Sequence, residues 1–369
     1  MPAEAYATLV YGDGPLACAA AILGHTLKLH DPRRARVALV RDISVRTRAI
    51  LEHGDLWTLH EQSKSKPKRR YQGSPRYRQQ LQRKNELWKL PFERVLYMDA
   101  DTFILPDPSD LPGLRARRLD ALWQSFPLSE TDALLAATGV RPNHYRNLSA
   151  LASTCFNGGF LLLRPSAESV AKLEGIDPHA ARHEAEASTG RRCPGFDQPL
   201  LNAAFPAGTW STITDANWRS LTHWMASPEQ PSTCGLRRRQ KLLRHADAYH
   251  FFHKVNPWEN VHCALCVEAG MRCRPVVPVG LECPVQALAQ AIWWREGIFG
   301  SLPRNATRAC LELADQSFVG NKGRPLRPRD AKLRAGLCTG CANRATPACV
   351  ADEDVDDDRR TSHARALRR

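Results

Sequence analysis

Arg94-Val95-Leu96-Tyr97-Met98-Asp99-Ala100-Asp101-Thr102 is the stretch from which the fold is read. Four apolar residues, flanked by charge, run into two carboxylates. The apolar part reads as a short strand buried on both faces. Side chains alternate along a strand, so Asp99 and Asp101 are expected on one side and Ala100 on the other. Two carboxylates together repel, and a hard divalent cation is the usual remedy. Such a cation takes further oxygens from a partner, most often a diphosphate. A bare Asp-x-Asp is more commonly a polar turn that caps a strand. The residues around it have to decide.

Upstream, residues 5–11 read as a strand and Gly12-Asp13-Gly14 as a turn. Pro15 suits a first helical position, and Leu16 to Leu29 form an Ala-rich helix. Arg36 to Arg41 is a second strand, 45–53 a helix, and Leu56 to Leu59 a third strand. This alternation is the signature of a parallel sheet with crossover helices. Ligands of such sheets bind at the carboxyl ends of the strands. Tyr11, Gly12 and Asp13 end the first strand, and Asp99 and Asp101 end a later one, so both are expected to line one crevice.

Residues 61–78 read as a basic loop, and Gln79 to Leu90 as a helix that turns Lys84 toward the acidic strand. Leu119 to Trp123 is expected as a strand, and 125–152 as a partly helical insertion. Phe156-Asn157-Gly158-Gly159 opens an apolar core strand, where paired glycines let the backbone approach a ligand. Asp197-Gln198-Pro199-Leu200-Leu201-Asn202 starts a helix, with Asp197 also readable as a plain N-cap. Tyr249 to Trp258 reads as a strand that ends in a loop. On it His250 is a candidate third metal ligand, against the common reading of a core histidine.

The 369 residues allow one large domain and an appendage, and the composition is ordinary for a globular chain, at 43% hydrophobic and 24% charged. The net charge of +14 suits an acidic partner. Lys64 to Lys84 holds nine cations and no acid, but it lacks the aromatic pattern of a nucleic-acid module, so solvated charge is the reading adopted. No apolar run is long enough to cross a membrane. The start, Met1 to Tyr6, has neither the basic nor the apolar region of a signal peptide, which gives a cytoplasmic expectation. The twelve cysteines are then expected as thiols. Cys263/Cys266 and Cys338/Cys341 are candidate ligands of a structural Zn2+, although a zinc ribbon spaces its pairs only about 15–20 residues apart. The expected organisation is a domain over 1–260, a Cys-rich helical extension over 261–350, and a disordered charged tail over 351–369.

The ordered set of a strand–helix start, Lys84 four before Trp88, Asp99-Ala100-Asp101, Phe156-Asn157-Gly158-Gly159, Asp197 to Asn202 and His250 to Pro257-Trp258 resembles glycosyltransferase family eight, the group of glycogenin and the galactinol synthases. The likeness spans about residues 5–258. It implies a GT-A fold: a Rossmann-like, mixed but mostly parallel sheet flanked by helices. It implies a retaining, manganese-dependent transfer of a hexose from a UDP-sugar to a protein, polyol or glucan. Asp99, Asp101 and His250 would hold the metal. Leu9, Val10 and Tyr11 would meet uracil and ribose, and Lys84 with Ala100 would lie along the donor. Asn157, Gly158 and Gly159 would line the sugar pocket, and Asp197 and Gln198 would act at the transferring sugar. The family carries a glycine three residues after the histidine and a lysine before Pro-Trp; here stand His253 and Asn256. Lys254 is the expected substitute for the diphosphate. Without it, the chain would be an inactive UDP-sugar-binding relative that serves as a scaffold.

Overall fold

A computed structural model describes residues 3–62, 84–107, 110–124, 134–138, 156–176, 198–206, 209–212, 220–222 and 246–251, with 272–273, 293, 302, 307, 310 and 349–350. The chain divides into two compact units, Met1–Phe252 and His253–Arg369.

The first unit is built on a mixed, mostly parallel α/β sheet. Its strands are β1 (Glu4–Tyr11), β2 (Ala35–Arg41), β3 (Thr58–Glu61), β4 (Arg94–Met98), β6 (Leu134–Thr138), β7 (Phe156–Leu163) and β8 (Ser211–Thr212), in the order β3-β2-β1-β4-β7-β6-β8. β1 runs parallel to both β2 and β4, and β7 runs antiparallel to its neighbours β4 and β6. The chain leaves β1 toward β2 and β3 and returns on the other side at β4. The β1/β4 boundary is therefore a topological switch point, where ligands of open sheets bind at the carboxyl ends.

The helices cover the sheet. Helix α1 (Pro15–His30) has Pro15 in its first turn, Lys28 and His30 in its last, and a nearly continuous buried run from Ala17 to Leu27. Its Gly24 lies against the indole of Trp57, which a Cβ would meet at 2.4 Å. Helix α2 (Val45–Glu52) is capped by Ser44, whose side chain accepts from the Thr47 N–H at 3.2 Å. Helices α3 (Leu114–Gln124), α4 (Ala167–Gly175) and α5 (Gln198–Ala204) follow. No described helix is long and apolar enough to cross a membrane. A second small sheet has the order β5-β10-β9, from β5 (Thr102–Ile104), β9 (Ser220–Thr222) and β10 (Ala248–His250). In the second unit, β11 (Arg272–Cys273) pairs antiparallel with β12 (Cys349–Val350).

Some expectations are corrected. Leu119 to Trp123 is helical, not a strand. In α3 the buried residues Arg115, Leu119, Leu122 and Trp123 recur at helical spacing, a pattern that a five-residue window cannot show. The third strand begins two residues late, because the Trp57 indole N–H first docks on the Ala20 carbonyl at 2.7 Å. The expected helix before Trp88 is a 3-10 turn over Asn85–Lys89, and 79–83 lie outside the described residues. The insertion contributes strand β6, and the rest of 125–152 lies outside the described residues. Cys18, in the first unit, is disulfide-bonded and not the expected thiol. So is Cys310, in the second. The cysteines offered to zinc, Cys263, Cys266, Cys338 and Cys341, lie outside the described residues.

Candidate metal and donor site

Asp99 and Asp101 do face one site, but a turn brings them there and not strand alternation. β4 ends at Met98, and the Thr102 N–H donates to the Asp99 carbonyl at 2.9 Å, closing a turn that holds Ala100 buried. The Asp99 N–H donates to the Gly159 carbonyl at 2.8 Å, and the Phe251 N–H to the Asp101 carbonyl at 2.9 Å. The turn is thereby tied to β7 on one side and to β10 on the other.

β10 pairs antiparallel with β5, with His250 opposite Thr102. This register sets the buried imidazole beside both acids: Nε2 lies 3.3 Å from Asp101 Oδ1 and 3.7 Å from Asp99 Oδ2. One ligand atom from each of Asp99, Asp101 and His250 falls within 4.8 Å of the others. Two carboxylates and an imidazole form a donor set for a divalent ion of intermediate hardness. Burial alone would lower the His250 pKa; the charge and hydrogen bond of Asp101 and the charge of Asp99 outweigh it, and raise it above the usual value against the opposing Lys84.

Lys84 faces the acids, as expected. Its buried ammonium donates to the Gly158 carbonyl at 2.7 Å, pairs with Asp99 Oδ1 at 3.0 Å and lies 4.9 Å from the centre of the Tyr97 ring. The Tyr97 hydroxyl donates to the same Asp99 oxygen. Sequence reading missed Tyr97, which it counted only as one apolar residue of a strand. Its direction could be sensed only from its place two before Asp99, on the same side of the strand.

Gly158 and Gly159 lie buried at the start of β7, and Asn157 is in the same strand. Gln198 is buried at the start of α5. The link between these two elements is Asn202, whose amide clips the start of β7. It accepts from the Phe156 N–H at 2.9 Å and donates to the Phe156 carbonyl at 3.2 Å and the Gln198 carbonyl at 2.8 Å. Leu9 and Val10 have their side chains in the core, and Tyr11 is half-buried at the end of β1. Close by, Asp13 accepts from the Ser44 N–H at 2.8 Å and the Thr47 hydroxyl at 2.6 Å, joining the β1 and β2 ends. Asp197, Lys254, Asn256 and Pro257-Trp258 lie outside the described residues. A groove of about 770 Å³ between Trp88, Phe92, Pro165 and Val170 opens at the other end of β4, away from the acids.

No family model matches the sequence, and no curated protein matches it. Among solved structures the chain is similar to the galactosyltransferase LgtC, crystallised with donor and acceptor sugar analogues. The identity is 16% over 69% of this chain and 89% of that one, with a TM-score of 0.43. It is similar to the glycosyltransferase GlyE of Streptococcus pneumoniae TIGR4, at 14% identity over 70% of this chain and 56% of that one, TM-score 0.39. It is also similar to the mannosyltransferase PcManGT of Pyrobaculum calidifontis, solved with GDP-mannose and Mn2+, at 14% identity over 92% and 80%, TM-score 0.32. All three overlays are partial.

Proposed function

We propose that this chain is a divalent-metal-dependent, retaining glycosyltransferase that moves a hexose from a UDP-sugar to a protein, polyol or glucan acceptor. The observation that carries the reading is the convergence of Asp99, Asp101 and His250 beside the buried Lys84, at the carboxyl end of β4. This set fits Mn2+ and leaves room in its coordination shell for phosphate oxygens. When bound, the ion supplies a Lewis acid that offsets charge growing on the departing diphosphate.

The chain's own residues supply the rest. Lys84, itself buried, adds a fixed cation beside the acids, where a preorganised charge stabilises the departing diphosphate. Tyr11 offers its ring to the base and ribose, while Leu9 and Val10 contribute the strand that carries it. Asn157, Gly158 and Gly159 border the sugar, and Ala100 keeps the acidic turn tight. Gln198, with Asp197, supplies oxygens to the face of the sugar opposite the leaving group, where positive charge develops. Lys254 takes the place of the family's lysine on the diphosphate.

Nucleoside diphosphate release from a panel of UDP-sugars and GDP-mannose, with Mn2+ and with or without chelator, tests the reading. Release from one donor is expected, and its loss in chelator and in Asp99→Asn/Asp101→Asn. Metal-dependent UDP binding without release from any donor would instead favour the inactive, scaffolding relative.

A further inference from the structure

Another buried charge cluster among the described residues stands at the far end of the strand that carries His250. Asp247 immediately precedes β10, and its carboxylate is 2% exposed. Arg115 Nη1 donates to Oδ1 at 2.7 Å, and Arg118 donates to Oδ2 from Nε at 3.1 Å and Nη2 at 3.0 Å. Arg115, 1% exposed, also donates from Nε to the Leu105 carbonyl at 2.9 Å and from Nη2 to the Pro106 carbonyl at 3.4 Å. The Leu105 N–H returns a bond to the Asp247 carbonyl at 3.0 Å. Asp107 fixes the start of α3 by accepting from the Gly113 and Arg115 N–H groups, each at 2.7 Å. Helix α3, the end of β5 and the start of β10 are thus joined through Arg115 and the carboxylate and main chain of Asp247.

The ladder that this cluster closes is short. Ala248, Tyr249 and His250 pair with Ile104, Phe103 and Thr102. Asp101 precedes one end of β5 and Leu105 follows the other, so the charge cluster and the candidate metal ligands cap opposite ends of a three-residue pairing, roughly 10 Å apart at strand rise. A slip of one residue would turn the His250 side chain to the other face of the small sheet. Three residue pairs join β10 to each neighbour, β5 on one side and β9 on the other, so side chains at its ends add to what the backbone specifies. A buried ion cluster is a poor source of net stability, because desolvation offsets its attraction, but a register with an unpaired buried charge is strongly disfavoured.

We propose that Asp247, held by Arg115 and Arg118, is a positioning residue for the metal site: it fixes the β5–β10 register and so the place of His250 against Asp99 and Asp101. This role rests on the metal-site reading above.

The test is Mn2+ affinity of the full chain, by electron paramagnetic resonance, beside thermal stability. Variants are Asp247→Asn, Arg118→Ala, and Arg115→Met/Asp247→Leu, which removes both fully buried charges and leaves Arg118, at 21% exposure, to solvent. Tyr6→Phe, which removes a hydroxyl that donates to Asp31 at 2.8 Å, controls for general destabilisation away from this cluster. Asp247→Asn and the double variant should lose roughly ten-fold in affinity, the scale of a group that orients a metal ligand. Arg118→Ala should lose less, and Tyr6→Phe should bind as wild type does. Wild-type affinity in the folded double variant would overturn the positioning role while leaving the metal site standing. Absence of Mn2+ binding by wild type, or binding that His250→Ala does not weaken, would overturn the metal-site reading and the role with it.

Discussion

Lys84 pairs with a carboxylate oxygen that the proposed divalent ion would also draw on. Its ammonium lies 3.0 Å from Asp99 Oδ1, where it offsets part of the charge that would draw a cation. Removing it has opposite effects on the two proposed ligands. Lys84→Met should tighten Mn2+ binding in the absence of nucleotide and weaken UDP binding in the presence of Mn2+. Calorimetry with each ligand separates the two, and a parallel loss of both would assign Lys84 a purely architectural part. Tyr97 belongs at this scale as well, since its hydroxyl orients the same carboxylate.

Between elements, Asn202 is the joint that sets α5 against the glycine-rich start of β7. Its three hydrogen bonds satisfy both backbone groups of buried Phe156 and hold the Gln198 carbonyl. Asn202→Ala would remove its bonds to the buried Phe156 N–H and carbonyl. The expected cost is about 2 kcal/mol in urea unfolding. UDP release should fall by more than the folded fraction accounts for, because Gln198 loses its tether. Activity that tracked only the folded fraction would separate this joint from the sugar site.

For the molecule as a whole, acid sensitivity follows from a buried network under the amino ends of the strands. Asp31 accepts from the Tyr6 hydroxyl at 2.8 Å and from Arg34, and the Trp123 indole N–H donates to the Tyr6 oxygen at 3.1 Å. Burial alone would raise the Asp31 pKa, but the Arg34 and Tyr6 hydrogen bonds and the arginine charges lower it below the usual carboxylate value. A lowered folded-state pKa contributes stability that is fully present above the unfolded value, near 3.9, and is lost as pH falls through the folded one. Asp31→Asn, a mimic of the protonated side chain, should therefore show its largest melting-temperature deficit at neutral pH. The deficit should shrink below about pH 4. A gap that stayed constant down to pH 2 would contradict this origin.

The parallel β1–α1–β2–α2–β3 start, the buried β4 and the carboxylates at its end are legible in the residues alone, because these are local patterns: apolar runs, a helix-starting proline, and acids just past a strand. The 3.6-residue burial of α3 was hidden, because its inward position near Asp247 belongs to a buried arginine, a residue type that reads as surface. Trp57 delayed β3 by docking on a helix nearly forty residues away in sequence, and no local window contains that contact. The site divides in the same way. Asp99, Asp101, His250 and Lys84 were all legible as residue types in order. Their meeting depends on a turn at Ala100, a three-residue ladder from Thr102 to His250, and a lysine held by the Gly158 carbonyl. The ladder and the lysine contact arise in the folded chain, because each joins groups far apart in sequence and a distant pairing leaves no periodicity, while the turn is tied in place by β7 and β10.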